Sequence, residues 1–225
     1  MWREATGADV LSRIRKALNS VLGISVVLAV LVFLAVYAAR QQGWLQPLEL
    51  VAYDWLLRTQ SVRKAPPRVT VVTITEQDIQ TFGKWPIPND VLADALERIV
   101  AEGPRAVGID IYTDIPIPPG RDRLEAVMLS NPRIVAAMRF PRGGEPGIPP
   151  PSVLADTGQF AFTDWIVDPK GILRRGLLIL DDGVDYVFSL PFQLALHYLS
   201  FEGVGVDSDP DIPEYMRIGN TTIPP

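Results

Sequence analysis

The sequence predicts an α/β fold: a single N-terminal transmembrane helix followed by one extracytoplasmic α/β domain with a mainly parallel sheet. Three observations predict it. Val21–Ala39 contains no charged residue and follows Arg13, Arg15 and Lys16; as a helix it covers roughly 28 Å, close to the hydrocarbon thickness of a bilayer. Between residues 68 and 112, two short runs rich in β-branched residues flank a run with helical periodicity, which is the pattern of a βαβ unit. About 185 residues follow the apolar run, enough to bury one full core.

The apolar run divides the chain into a cytoplasmic tail (1–20), a membrane span (21–39) and an outer domain (41–225). Four basic residues precede the span (Arg3, Arg13, Arg15, Lys16), whereas its far side begins with Arg40, Gln41, Gln42 and Gly43. This asymmetry places the N-terminus in the cytoplasm and the main domain in the periplasm or outside the cell. Its length favours an uncleaved anchor over a signal peptide, although Val36-Tyr37-Ala38 resembles a weak cleavage site. A buried soluble helix is disfavoured because Ser25 and Tyr37 are the only polar side chains in the run.

Of 21 basic and 26 acidic residues, those from Arg40 onward sum to −7 and those before it to +2. An acidic body lacks the cationic face that nucleic acid requires. The chain has no cysteine, which removes disulfides, thiolate metal sites and cysteine nucleophiles.

Beyond the span, Leu48, Val51, Ala52, Trp55 and Leu56 recur at helical spacing within Leu45–Gln60, predicting an amphipathic helix that Lys64-Ala65-Pro66-Pro67 stops. Arg68–Thr75 (RVTVVTIT) reads as a largely buried strand. Asn89 is the expected N-cap of a helix whose stripe is Leu92, Ala95, Leu96 and Ile99, with Gly103-Pro104 as its stop. Arg105–Tyr112 is the next strand, parallel to the first through a right-handed crossover.

A Pro-rich turn (Ile115–Gly120), a short helix (Arg121–Ser130) and a third strand (Arg133–Arg139) follow. Pro141–Pro151, with five prolines and three glycines, reads as a surface or mobile segment. Gln159–Thr163 and Gly171–Leu180 are strands joined through Asp168-Pro169-Lys170-Gly171. A hairpin over Asp181-Asp182-Gly183 leads to a helix at Ser189–Phe201, capped by Ser189 with Pro191 in its first turn. Tyr215–Ile218 and Thr222–Ile223 form a last strand pair around Gly219-Asn220.

Glu76, Asp78, Asp110 and Asp114 fall just beyond the expected carboxyl ends of neighbouring parallel strands, where open α/β sheets bind ligands. Trp85 lies in the long loop Glu76–Pro88 and offers a flat apolar face. Glu76, Trp85, Asp110 and Asp114 are therefore the candidate lining of a small-molecule pocket; packing of Trp85 on the core and turn-capping by the aspartates is the plainer alternative. Catalytic signals are weaker. His197 is the only histidine and sits within a helix, where a packed ring is the expectation. Two acids, Asp110 and Asp114, are too few to define a metal site, and phosphate-loop glycine spacing is missing. Arg174-Arg175 lie on opposite faces of a strand and read as solvated charge.

The order and spacing of several short motifs resemble a known family, the CHASE domain of the second type. They are Tyr53-Asp54-Trp55-Leu56-Leu57-Arg58, Val71-Val72-Thr73-Ile74-Thr75-Glu76, Gly83-Lys84-Trp85-Pro86, and Gly108-Ile109-Asp110-Ile111-Tyr112. Asp164 through Asp168-Pro169-Lys170-Gly171 to Arg174-Arg175 follows, then Tyr186 with Ser189-Leu190-Pro191. The resemblance covers nearly all of Leu45–Ile223. It departs from the family at Thr75, where aspartate is usual, and at Ile87-Pro88-Asn89, where an aromatic and an arginine usually follow Trp-Pro.

Such a resemblance implies an extracellular sensory domain of cyclases and histidine kinases, with no catalytic residue, metal or cofactor of its own. It also implies a truncated chain, since family members tend to continue into further membrane helices and a nucleotide cyclase or kinase. The expected partners are membrane lipid around residues 21–39, a small-molecule or protein signal, and a second copy of the chain in a homodimer. Two other classes remain open: an anchored periplasmic metal-dependent hydrolase using Asp110 and Glu76, and a structural dimerising ectodomain.

Overall fold

The computed structural model describes residues 16, 20–60, 68–168, 171–181 and 186–224. The tail before Ser20 (except Lys16), the Lys64–Pro67 stop, Pro169-Lys170 and the Asp182-Gly183 turn lie outside the described residues. The chain divides into two compact units, Met1–Val71 and Val72–Pro225.

In the first unit, α1 (Val21–Gln41) begins at Ser20, whose hydroxyl accepts a hydrogen bond from the Gly23 amide at 3.0 Å. This satisfies one of the amides that a helix start leaves open. The helix buries no side chain, and its mean hydropathy of 2.8 and length suffice to cross a membrane. Next, α2 (Gln46–Thr59) starts with a proline in its first turn, and its Glu49 pairs with Arg40 at 3.2 Å. Leu48, Val51, Trp55 and Leu56 are all exposed.

The second unit holds α3 (Glu76–Phe82), α4 (Asn89–Ala101), β1 (Val107–Ile109), α5 (Arg121–Ser130), β2 (Ile134–Met138) and β3 (Phe160–Phe162). It continues with β4 (Ile166–Asp168), β5 (Ile172–Arg175), β6 (Ile179–Asp181), β7 (Tyr186–Phe188), α6 (Leu190–Ser200), β8 (Val206–Ser208), β9 (Met216–Ile218) and β10 (Thr221–Ile223). The strands β1, β2 and β3 form a parallel sheet in that order, with Val107 opposite Ile134 and Ala136 opposite Phe160. The remaining ladders, β4-β5, β6-β7 and β8-β9-β10, are antiparallel. An α/β fold is thus present, but parallel pairing is confined to one sheet.

Alternation along β2 covers that sheet on both faces. Ile134 and Ala136 join Val107, Ile109, Ala93, Leu96, Leu124, Val127 and Met128, so α4 and α5 lie on one face. Val135 points the other way with Ala161, against Leu190 and Leu194 of α6. Each fully buried Leu124, Met128, Ile134 or Leu154 contributes about 1.5–3 kcal/mol of apolar burial. Gly108 is required on the α6 face, since a Cβ there would stand 2.7 Å from Leu194 Cδ1.

Four expectations need correction. Arg68–Thr75 forms no strand, and Val69, Val71 and Val72 are 81%, 75% and 67% exposed; β-branched residues favour a strand only where a ladder partner and a face to pack on exist. The βαβ unit is instead β1-α5-β2. Asn89 does not cap α4. It is buried as the helix's first residue, and its amide and side-chain oxygen bond Ile117, tying down the 115–120 turn. Pro141–Pro151 is a fastened hairpin, described below. Arg174 and Arg175 are not free charges: both reach the carboxylate of Asp168, at 3.0 and 2.6 Å, with Arg174 largely buried and Arg175 still exposed to solvent. A register shift between Ile166 and Val167 breaks the simple alternation of faces, and long guanidinium arms reach a carboxylate at the strand end from either side.

Candidate functional site

The two ends of the parallel sheet differ. At the amino end the Gln159 side-chain amide, buried, reaches the carbonyl oxygens of Met128, Asn131 and Ile134 at 3.0–3.1 Å and closes the gap between α5 and β3. At the carboxyl end the segments leaving β1, β2 and β3 carry Asp110 to Tyr112, Arg139-Phe140 and Thr163-Asp164-Trp165. This is the edge at which open α/β sheets present polar groups to ligands.

Those segments are cross-linked. The Thr163 amide donates to Met138 O at 3.0 Å, and its hydroxyl lies 3.3 Å from the same oxygen and 3.0 Å from the Tyr112 hydroxyl. The Phe140 amide donates to Asp164 Oδ2 at 3.0 Å, while the Phe140 ring meets Phe162 edge-on with centroids 5.9 Å apart. Together these bonds fix the start of each outgoing segment.

A hairpin builds the outer wall. Arg142 and Glu145 exchange backbone hydrogen bonds at 3.1 and 2.9 Å, with Gly143 and Gly144 between them at φ +60° and +86°. Two successive residues with positive φ suit the right-handed twist of a two-residue hairpin loop, and glycine adopts them without a Cβ penalty. Arg139 and Ile148 pair at 2.9 and 2.8 Å lower in the same hairpin. Gly147 fits because a Cβ there would lie 2.6 Å from the Arg139 carbonyl oxygen.

Between hairpin and sheet edge lies a cavity of about 500 Å³ lined by Arg139, Arg142, Gly143, Glu145, Thr163, Asp164 and Trp165, within the size range of small-molecule sites. Arg139 Nη2 donates to Pro146 O at 3.2 Å and stands 3.6 Å from Glu145 Oε2. Its Nε is buried and has no hydrogen-bond partner. Arg142 Nη1 donates to Trp165 O at 3.1 Å, and the Trp165 side chain is partly open to solvent.

The four residues expected from the sequence lie elsewhere in the second unit. Glu76 is exposed at the first position of α3, where it accepts from Gln80 at 3.3 Å. Trp85 is 57% exposed. Asp110 is exposed just past β1, and Asp114 is half-buried in the following turn. The loop at Trp85 is held by Lys84, whose ammonium donates to Pro118 O at 3.2 Å. Asp110 and Asp114 thus follow a parallel strand, whereas Glu76 follows a segment without a ladder. None of the four lines the cavity.

Asp78 is engaged locally: its carboxylate accepts from the Thr75 hydroxyl and amide at 2.6 and 2.8 Å, forming a capping box for α3. Those bonds hold its pKa below the ordinary value, the hydroxyl contributing most. Asp168 is held low by Arg175 first and Arg174 second. The residues missed by reading the sequence are Arg139, Arg142 and Trp165. The signal for them was Arg142-Gly143-Gly144-Glu145, a two-glycine hairpin turn between opposite charges.

The CHASE2 domain family model matches residues 4–224, nearly the whole chain. No curated protein and no solved structure matches it. The chain belongs to the CHASE2 domain family.

Proposed function

We propose that this CHASE2 domain is the membrane-anchored, extracytoplasmic part of a receptor. Residues 1–20 are cytoplasmic, α1 crosses the inner membrane, and the domain outside binds a small-molecule signal at the carboxyl edge of its parallel sheet. Binding alters the pose of α1, and through a homodimer that change reaches a cytoplasmic output module, a nucleotide cyclase or kinase outside these 225 residues. CHASE2 domains are extracellular sensory domains, and the family match over residues 4–224 is the observation that carries the reading. The apolar α1, which buries no side chain and carries its one charge at Arg40 in the last turn, supports the anchor, and the cavity at the sheet edge supports the binding site. Among the described residues no group of three or more His, Cys, Asp or Glu gathers, so the hydrolase alternative has no ligand set there.

Orientation is tested by a lysine reagent that cannot enter cells, applied to intact spheroplasts. Lys84, exposed on the second unit, is modified if the domain faces outward; protection of Lys84 until the membrane is opened inverts the topology. Transmission is tested through the absence of cysteine. In a Leu28→Cys variant, disulfide formation between copies reports the pose of α1, and a signal changes its rate severalfold, matching the usual 1–3 kcal/mol of coupling between sites. Alanine variants of Glu76, Trp85, Asp110 and Asp114, run in the same assay, show whether that second lining contributes.

A further inference from the structure

The geometry points to a lipid-facing surface: we infer that α2 lies along the membrane surface where α1 emerges, with Leu48, Val51, Ala52 and Trp55 sunk into the headgroup boundary. The inference rests on the reading of α1 as a membrane span. The first observation is how α1 ends. The amide of Gly43, a residue at φ +76°, donates to Arg40 O at 2.9 Å, and the Trp44 amide donates to Ala39 O at 3.0 Å. This paired closure through a left-handed glycine stops the helix and redirects the chain. Gln42–Leu45 alone then separate α1 from α2, and the Gln46 amide donates back to Gly43 O at 3.1 Å. Glu49, in the first turn of α2, meets Arg40 at 3.2 Å. Arg40 is the first charge after the uncharged run, so the start of α2 is held at the depth where the span meets water.

What α2 presents at that depth is apolar. Leu48, Val51, Ala52 and Trp55 stand at i, i+3, i+4 and i+7, one stripe of a helix, and Leu48, Val51 and Trp55 are 69%, 66% and 64% exposed. Trp44, in the connecting turn, is exposed as well. Tryptophan gathers at membrane–water interfaces, where its ring is buried in the apolar layer and its N–H stays wet. A second copy is the poorer occupant. The 14 residues of α2 make two heptads, fewer than the roughly three or four that sustain a seam between paired helices. Charge says how lipid would hold it. Glu49, Asp54 and Arg58 leave α2 with a net −1, so anionic headgroups do not draw it in; apolar burial does, made intramolecular by the short tether to α1.

The test places one nitroxide label at a time on the full chain in phosphatidylcholine vesicles, using the absence of cysteine. Leu48→Cys, Val51→Cys, Ala52→Cys and Trp55→Cys report the stripe, Gln46→Cys and Tyr53→Cys the other side, and Leu28→Cys the span. All seven positions are exposed, and circular dichroism checks that each variant folds. Oxygen, which concentrates in lipid, should relax the stripe labels severalfold more than a water-soluble nickel complex does, at a depth of about 5–10 Å. That excess should vanish at Gln46 and Tyr53, and adding phosphatidylglycerol should not change the pattern. Relaxation of the stripe mainly by nickel puts it in water, and weak relaxation by both reagents puts it under protein, a second copy included; either overturns the inference. An oxygen excess on both sides, or one that needs phosphatidylglycerol, overturns it too. Leu28→Cys keeps the two readings apart: an oxygen-dominated label there leaves the span standing while α2 fails, whereas a nickel-dominated one removes the span itself.

Discussion

Two pairs of arginines in the second unit teach different lessons. Arg174 and Arg175 converge on one carboxylate, Asp168, which is 4% exposed, so the buried Arg174 and the half-exposed Arg175 both hold the β4-β5 hairpin. Arg139 and Arg142 are anchored by carbonyl oxygens instead, and both line the cavity at the sheet edge. A buried carboxylate met on both oxygens by guanidiniums fixes architecture. Arginines held only by carbonyl oxygens at the wall of a cavity keep charge that a ligand can meet. Mutations should therefore separate the two pairs: stability falls with the first, binding with the second.

The largest effect is expected from Asp168→Asn, which strips the counter-charge from two arginines at once. Thermal unfolding should begin roughly 5–10 °C lower for a domain of this size, and a wild-type melting curve would refute the structural assignment. Gly147→Ala comes next. Its Cβ meets the Arg139 carbonyl at 2.6 Å, so the hairpin must shift, at a cost of about 1–3 kcal/mol. Denaturant titration measures that loss, and a wild-type midpoint would refute the close approach. Arg139→Gln sharpens the contrast, because losing the bond to Pro146 O should cost only about 0.5–1.5 kcal/mol, which denaturant titration would show as less than the loss in Asp168→Asn.

Acid titration separates the pairs further. The pKa of Asp168 lies below its ordinary 3.8, so the unfolded chain takes up its proton first as pH falls. Its contribution to stability is complete above pH 3.8 and is lost as pH drops through the lower native value. Wild type and Arg175→Gln should therefore differ most in melting temperature near neutrality and converge in acid. A gap that persists below that range would mean the pair is not electrostatic. The smallest effect belongs to His197, whose pKa burial holds below 6.5. Protonation then opposes folding only below pH 6.5, and His197→Gln should flatten the stability profile slightly between neutrality and pH 5.

Elements with local signals were legible. Arg121–Ser130 coincides with α5, Gly103 ends α4 with φ +70°, and β2, β3 and α6 lie within a residue or two of their expected bounds. Reading failed where the outcome depended on distant partners. RVTVVTIT has strand composition, but nothing in a sequence says that no ladder will receive it. Arg174-Arg175 looked divergent because strand alternation was assumed, and the extra residue that β5 carries at Arg174, between Leu173 opposite Val167 and Arg175 opposite Ile166, altered it. The cavity was hidden for a different reason. Proline and glycine in Pro141–Pro151 suggested looseness, whereas Gly143-Gly144 closes a tight hairpin whose backbone bonds return to Arg139.

The sheet's outer margin has a practical consequence. β1 pairs only with β2 among the described strands, so its far side offers amide and carbonyl groups that a neighbouring polypeptide can stitch onto. β1 is only three residues long, and so short a border limits such stitching to a bond or two and keeps separate molecules from stacking into a continuous ladder.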